Sequence, residues 1–106
     1  MKFITHQDAE INDHLTMLKG SIQATRKQLN VAFGQCRQGP SSRVAHDWKL
    51  EFRDGTVATI YDWESEPVAD DVPYNWRIGG RTHRAVELVH QAFREAHGLS
   101  CGERAA

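Results

Sequence analysis

Three histidines, His83, His90 and His97, recur every seven residues along a stretch with helical periodicity. Imidazole serves as metal ligand and general base near neutral pH. Seven helical residues rise about 10.5 Å, however, too far for two rings to share one ion. The spacing predicts a solvated polar stripe on a helix and no metal site. Cys36 and Cys101 form no Cys-x-x-Cys pair and have no histidine at a familiar ligand spacing, so two reduced thiols are expected. Ser41 and Ser42 supply hydroxyls, but neither lies in a Gly-x-Ser-x-Gly elbow. No catalytic residue, enzyme activity or cofactor is expected. Gly79-Gly80 ahead of a helix could begin a phosphate cradle, yet no Gly-x-Gly-x-x-Gly or Gly-Lys-Ser/Thr accompanies it. Glycine's backbone freedom in a tight strand-to-helix turn is sufficient to explain the pair.

Charge carries more information. Thirteen Lys and Arg against fourteen Asp and Glu leave a net charge of -1, which gives no global attraction to nucleic acid or acidic membranes. The distribution is polarised: Asp54, Asp62, Glu64, Glu66, Asp70 and Asp71 fall in a stretch without Lys or Arg, followed by Arg77, Arg81 and Arg84 without an acid. Clustered carboxylates repel one another and tend to stay exposed, so the segment from Asp62 to Asp71 is expected on the surface. Tyr61, Trp63 and Trp76 flank it in sequence. Aromatic anchors within a polar rim are common interface anatomy. The candidate partner-binding residues are Tyr61, Trp63, Glu64, Glu66, Asp70 and Asp71. The competing candidate is a nucleic-acid patch made by Arg77, Arg81 and Arg84, with Arg43 and Arg53 as possible additions.

The elements that position these residues follow from pattern. The chain has 106 residues, 40% hydrophobic and 25% charged, with mean hydropathy -0.59. It reads as one soluble domain over 1–106, with an ordered core about 21–97 and peripheral ends. No apolar run approaches a membrane span, and the start lacks the apolar segment of a secretory signal. Ile11, Leu15 and Leu18 share helical spacing that Gly20 would stop, giving a short helix or an irregular arm. Ser21–Ala24 reads as a short strand. Thr25 and Gln28 have the form of a capping box, and Gly34 can end the helix between them and Phe33. Cys36 to Ser42 reads as a loop around Gly39-Pro40.

Val44, His46, Trp48, Leu50 and Phe52 alternate with polar residues, Asp54-Gly55 follows, and Thr56 to Trp63 is rich in β-branched and aromatic residues. This predicts a hairpin. A two-residue turn would place Trp48, Leu50 and Phe52 with Val57, Thr59 and Tyr61. A longer turn with Gly55 in the left-handed region would place them with Ala58 and Ile60, and gathers more aliphatic surface on one face. Glu64 to Pro73 is a loop, Tyr74 to Ile78 a further strand ended by Gly79-Gly80, and Thr82 the cap of a last helix. That helix should pack Val86, Val89 and Phe93 and close at Gly98. The order predicts an α+β fold: a three- to four-stranded antiparallel sheet with an Asp-Gly hairpin and helices packed on one face.

These residues resemble a family of small bacteriophage and prophage proteins. The resemblance lies in Leu29 to Gly34, in the block Asp47 to Trp63 with Asp54-Gly55-Thr56-Val57-Ala58-Thr59-Ile60-Tyr61, in Trp76-Arg77-Ile78-Gly79-Gly80, and in Ala85 to Val89. It covers about Ile22 to Phe93. Arg77 stands where the family usually has His, and Gln35-Cys36 stands where an acid and Pro follow its Phe-Gly. The family brings no established activity to transfer. The resemblance implies a non-enzymatic protein of the bacterial host cytoplasm that binds and inhibits a host protein of defence or transcription. The alternative is a nucleic-acid-binding module on the arginine patch. A homodimer is compatible with either, and no membrane partner is expected.

Overall fold

The computed structural model describes residues 3–6, 17–41, 44–63 and 69–98. Its elements are β1 (Phe3–His6), β2 (Met17–Ala24), α1 (Arg26–Phe33), β3 (Arg37–Ser41), β4 (Val44–Phe52), β5 (Val57–Tyr61), β6 (Tyr74–Gly80) and α2 (Arg84–Ala96).

Alternation along β4 decides the architecture. β4 and β5 are antiparallel, with Trp48 opposite Ile60 and Leu50 opposite Ala58. Between them the Phe52 amide donates to the Thr56 carbonyl at 2.8 Å, and Gly55 donates to the Phe52 carbonyl at 2.9 Å. Gly55 has φ 91°, a conformation costly for any residue with a Cβ. The register is therefore that of the longer connection, with Trp48, Leu50, Ala58 and Ile60 on one face. β6 continues the sheet with Ile78 opposite Ile60, and β2 follows with Ile22 opposite Trp76. The antiparallel path is β1-β4-β5-β6-β2, and β3 shares the outer side of β4 with β1. β1 pairs with the stretch Lys49 to Phe52, and β3 with Val44 to Asp47.

This sheet is larger than the three to four strands expected from sequence. Phe3–His6, placed in a peripheral arm, forms β1, and its Phe3 ring contacts Phe33 and Phe52 at 5.5 and 5.7 Å. Met17 to Gly20 extend β2 instead of ending a helix; the rest of that proposed helix lies outside the described residues. Arg37–Ser41 forms an edge strand despite Gly39-Pro40. Its register shifts between Gln38 and Ser41, consistent with proline's confinement to edges and bulges.

Both helices pack on the face carrying Trp48, Ile60 and Ile78. α1 begins with the capping box: the Thr25 hydroxyl accepts from the Gln28 amide at 3.0 Å, and the Gln28 side chain accepts from the Thr25 amide at 2.9 Å. Gly34 follows with φ 92°. Leu29 and Phe33 are buried, as are Ala85, Leu88, Val89 and Ala92 of α2. Val86 and Phe93 are only partly buried, so the apolar stripe of α2 is rotated toward Ala85, Leu88 and Ala92. Thr82 does not cap this helix. The N-cap is His83 in a right-handed helical conformation with no side-chain cap bond.

Gly79 and Gly80 are strand residues rather than a strand-ending turn. A Cβ on Gly80 would lie 2.4 Å from that of Ala85, and one on Gly79 would lie 2.6 Å from the Thr59 hydroxyl. Their small size permits close approach: Gly80 to α2 and Gly79 to the neighbouring strand. Gly80→Ala is expected to force β6 and α2 apart and cost about 1–3 kcal/mol. An unchanged urea midpoint at unchanged m-value would refute that reading.

Candidate functional site

The face of the sheet opposite the helices carries two cross-strand rows. One runs Asp47, Tyr61, Arg77, Ser21 and the other Lys49, Thr59, Gly79, Leu18. Period-two geometry puts these residues on one side because Trp48, Ile60 and Ile78 occupy the other. Asp47, Lys49 and Thr59 are buried within this polar face, and both Asp47 and Lys49 have interaction partners. The Tyr61 ring leans over Gly79, its Cε1 lying 3.5 Å from the point where a Cβ would stand.

At the β2–β6 end of this face opens a groove of about 590 Å³ lined by Leu18, Lys19, Gly20, Ser21, Tyr74, Asn75 and Arg77. β2 has a bulge there: Leu18 lies opposite Gly79 and Gly20 opposite Ile78, leaving Lys19 as an extra residue. Such an insertion bends the strand and re-aims side chains. Lys19 was not legible as a site residue because the bulge has no sequence marker. Ser21, Asn75 and Arg77 could have been grouped by alternation on their two strands, but only after β2 was known to pair with β6.

The structure separates the acidic–aromatic candidates. Tyr61 is half-buried on the open face, directly opposite Arg77. Trp63 is 38% exposed, and its amide donates to the Tyr74 hydroxyl at 3.3 Å. Asp70 and Asp71 are exposed; the Asp70 carbonyl accepts the Lys27 amide of the first turn of α1 at 2.9 Å. Glu64 and Glu66 lie outside the described residues. Asp62, expected on the acidic surface, is instead 3% exposed. Its carboxylate accepts the His46 amide at 3.2 Å and the His46 Nδ1–H at 3.1 Å. Pairing between the strands continues past Tyr61, where the Asp62 amide donates to the His46 carbonyl, and draws the carboxylate inward.

Nor do the three arginines form one patch. Arg84 reaches Asp54 at 3.4 Å and Glu87 at 3.6 Å, so its charge is locally balanced. Arg81 is exposed and already has an interaction partner. Arg77 alone of the three lines the groove. Arg53 is exposed, and Arg43 lies outside the described residues. Tyr61 and Arg77, drawn from competing expectations, are cross-strand neighbours.

The histidine stripe differs from the solvated face expected of it. His90 Nε2–H donates to the Ser21 carbonyl and His97 Nε2–H to the Gln28 carbonyl, both at 2.9 Å. These rings tie α2 to β2 and α1; His83 is exposed. Cys36 is a free thiol whose amide donates to Asn30 Oδ1 at 2.9 Å. Burial pushes this thiol up, against the lowering pull of Arg26, which disfavours the nucleophilic thiolate. Cys101 lies outside the described residues. Among those described, no three His, Cys, Asp or Glu side chains gather to hold a metal ion, and no helix is long and apolar enough to cross a membrane.

Comparison with protein-family models, curated proteins and solved structures finds no match.

Asp54 gives the connection between β4 and β5 a pH dependence. Hydrogen bonds from the Thr56 hydroxyl and amide, and then Arg84, hold its carboxyl below the usual value. A lowered folded-state value adds stability above the ordinary carboxylate range, which disappears as pH falls through the lowered value. The difference in urea midpoint between the native chain and Asp54→Asn should therefore shrink on acidification through that window. A difference that grows there would contradict this linkage.

Proposed function

We propose that this chain is a non-enzymatic phage-type protein of the bacterial host cytoplasm that binds and inhibits a host protein of defence or transcription. The reading rests most on Trp63. A large aromatic side chain stays partly exposed while its backbone is fixed to Tyr74 Oη. Ordering an aromatic anchor before binding lowers the entropy lost on association. Asp70 and Asp71, exposed on the returning side of the same connection, supply charge suited to a basic partner surface. Tyr61 lies further along the open face, and Glu64 and Glu66 belong to the proposed acidic rim by sequence.

A nucleic-acid-binding module is the weaker reading. Asp54 and Glu87 offset Arg84, while acidic residues near Trp63 would repel a phosphate backbone. Resemblance to small phage proteins supports the biological setting but contributes no catalytic role.

Affinity capture of the tagged chain from bacterial lysate, followed by nuclease treatment, separates the two. A host protein retained after nuclease, and lost roughly tenfold or more with Trp63→Ala, is expected if Trp63 is an anchor. Asp70→Ser with Asp71→Ser should weaken capture of that same protein and flatten its salt dependence. Unaltered capture in these variants, with loss in Arg81→Ala/Arg84→Ala, would assign binding to the basic side and overturn the proposal.

A further inference from the structure

Beyond the protein-binding rim, we propose that the groove between β2 and β6 binds a small organic phosphate, a phosphomonoester with an apolar or planar body. The bulge brings the half-buried Lys19 into the same groove as the half-buried Arg77. Among the described residues no carboxylate lines the groove, and neither cation has a hydrogen-bond or ion-pair partner. Two cations lining one groove without an acid repel each other, and a bound dianion would relieve that repulsion. Arginine can take two phosphate oxygens through its planar fork, while lysine acts as a compact point charge beside it.

The remaining lining argues for more than a bare ion. At about 590 Å³ the groove is in the range that accommodates small organic ligands. The exposed Leu18 side chain provides apolar surface for a ligand body, and Ser21 and Asn75 provide hydrogen-bonding groups. Ser21 lies directly opposite Arg77 and Asn75 is two residues away along β6, so both are neighbours of Arg77 on the same face of the sheet. Among the described residues two cations line the groove, which suits one phosphate group better than a phosphodiester backbone.

Calorimetric titration of the full chain with adenosine 5′-monophosphate and phenyl phosphate tests this, with inorganic phosphate, adenosine and a single-stranded oligonucleotide as comparisons. At least one monoester should bind more tightly than inorganic phosphate or adenosine. Arg77→Gln and Lys19→Gln, tested separately, should each weaken it about tenfold or more, as loss of a charge-assisted contact predicts, with thermal midpoints unchanged. Trp63→Ala should leave this binding intact, separating the groove from the protein-binding rim. Failure of both monoesters to bind at millimolar concentration would overturn the proposal. So would equal binding of inorganic phosphate, undiminished binding by both groove variants, or binding of the oligonucleotide alone.

Discussion

Two tryptophans fix the position of α1 over the sheet. Trp48 and Trp76 meet edge-to-face with ring centroids 5.2 Å apart, on strands separated by β5. The Trp48 Nε1–H donates to the Gly34 carbonyl just after α1 at 2.8 Å, and the Trp76 Nε1–H donates to the Ala24 carbonyl just before it at 3.0 Å. Burying an indole contributes large apolar area but leaves a donor that requires a partner. Here the two donors hold opposite ends of one short helix. That helix has only eight residues, too few for independent stability in water. Its caps satisfy local backbone groups, while the tryptophans determine where it sits. Leu29 and Phe33 then complete the same core as Ile60 and Ile78.

A helix layer on one side leaves the opposite face to other chemistry. Lys49 and Asp47 alternate with Trp48 and Leu50, so the requirement that positions the core also places two charged side chains on the opposite face, where both are buried. Arg77 is outward because Trp76 and Ile78 are inward. Gly79 lies between these demands: its missing side chain accommodates Thr59 and leaves space under the Tyr61 ring. The groove beyond is formed where β2 loses regular register. The proposed binding site thus follows from a backbone irregularity, not from a recognisable catalytic motif.

The two ends of α2 also have different electrostatic constraints. Arg84 near its start is balanced by Asp54 and Glu87, offsetting an otherwise unfavourable cation near a helix N-terminus. Later in the helix, His90 and His97 use their ring N–H groups to reach backbone carbonyls on β2 and α1. Residues polar enough to suggest a solvated stripe thus connect secondary elements. Asp62 follows the same rule: its carboxylate is withdrawn from the acidic surface because His46 offers both a backbone and a ring donor.

By itself the sequence determined the features whose causes are local. Alternation along β4, the left-handed Gly55, the Thr25–Gln28 capping box and Gly34 depend on neighbouring residues and the conformations their side chains permit. Only the tertiary structure decided that Phe3–His6 and Arg37–Ser41 share an edge of β4, that Gly80 packs on Ala85, and that Tyr61 stands opposite Arg77. Those outcomes depend on which distant backbone groups pair. The separation of Arg84 from Arg77 and the burial of Asp62 have the same origin. Sequence distance groups charges along one line, whereas strand pairing supplies each with a different neighbour. The candidate groove lay furthest from view because Lys19 becomes the extra residue only when β2 meets β6, and a bulge belongs to the pair of strands rather than to either one.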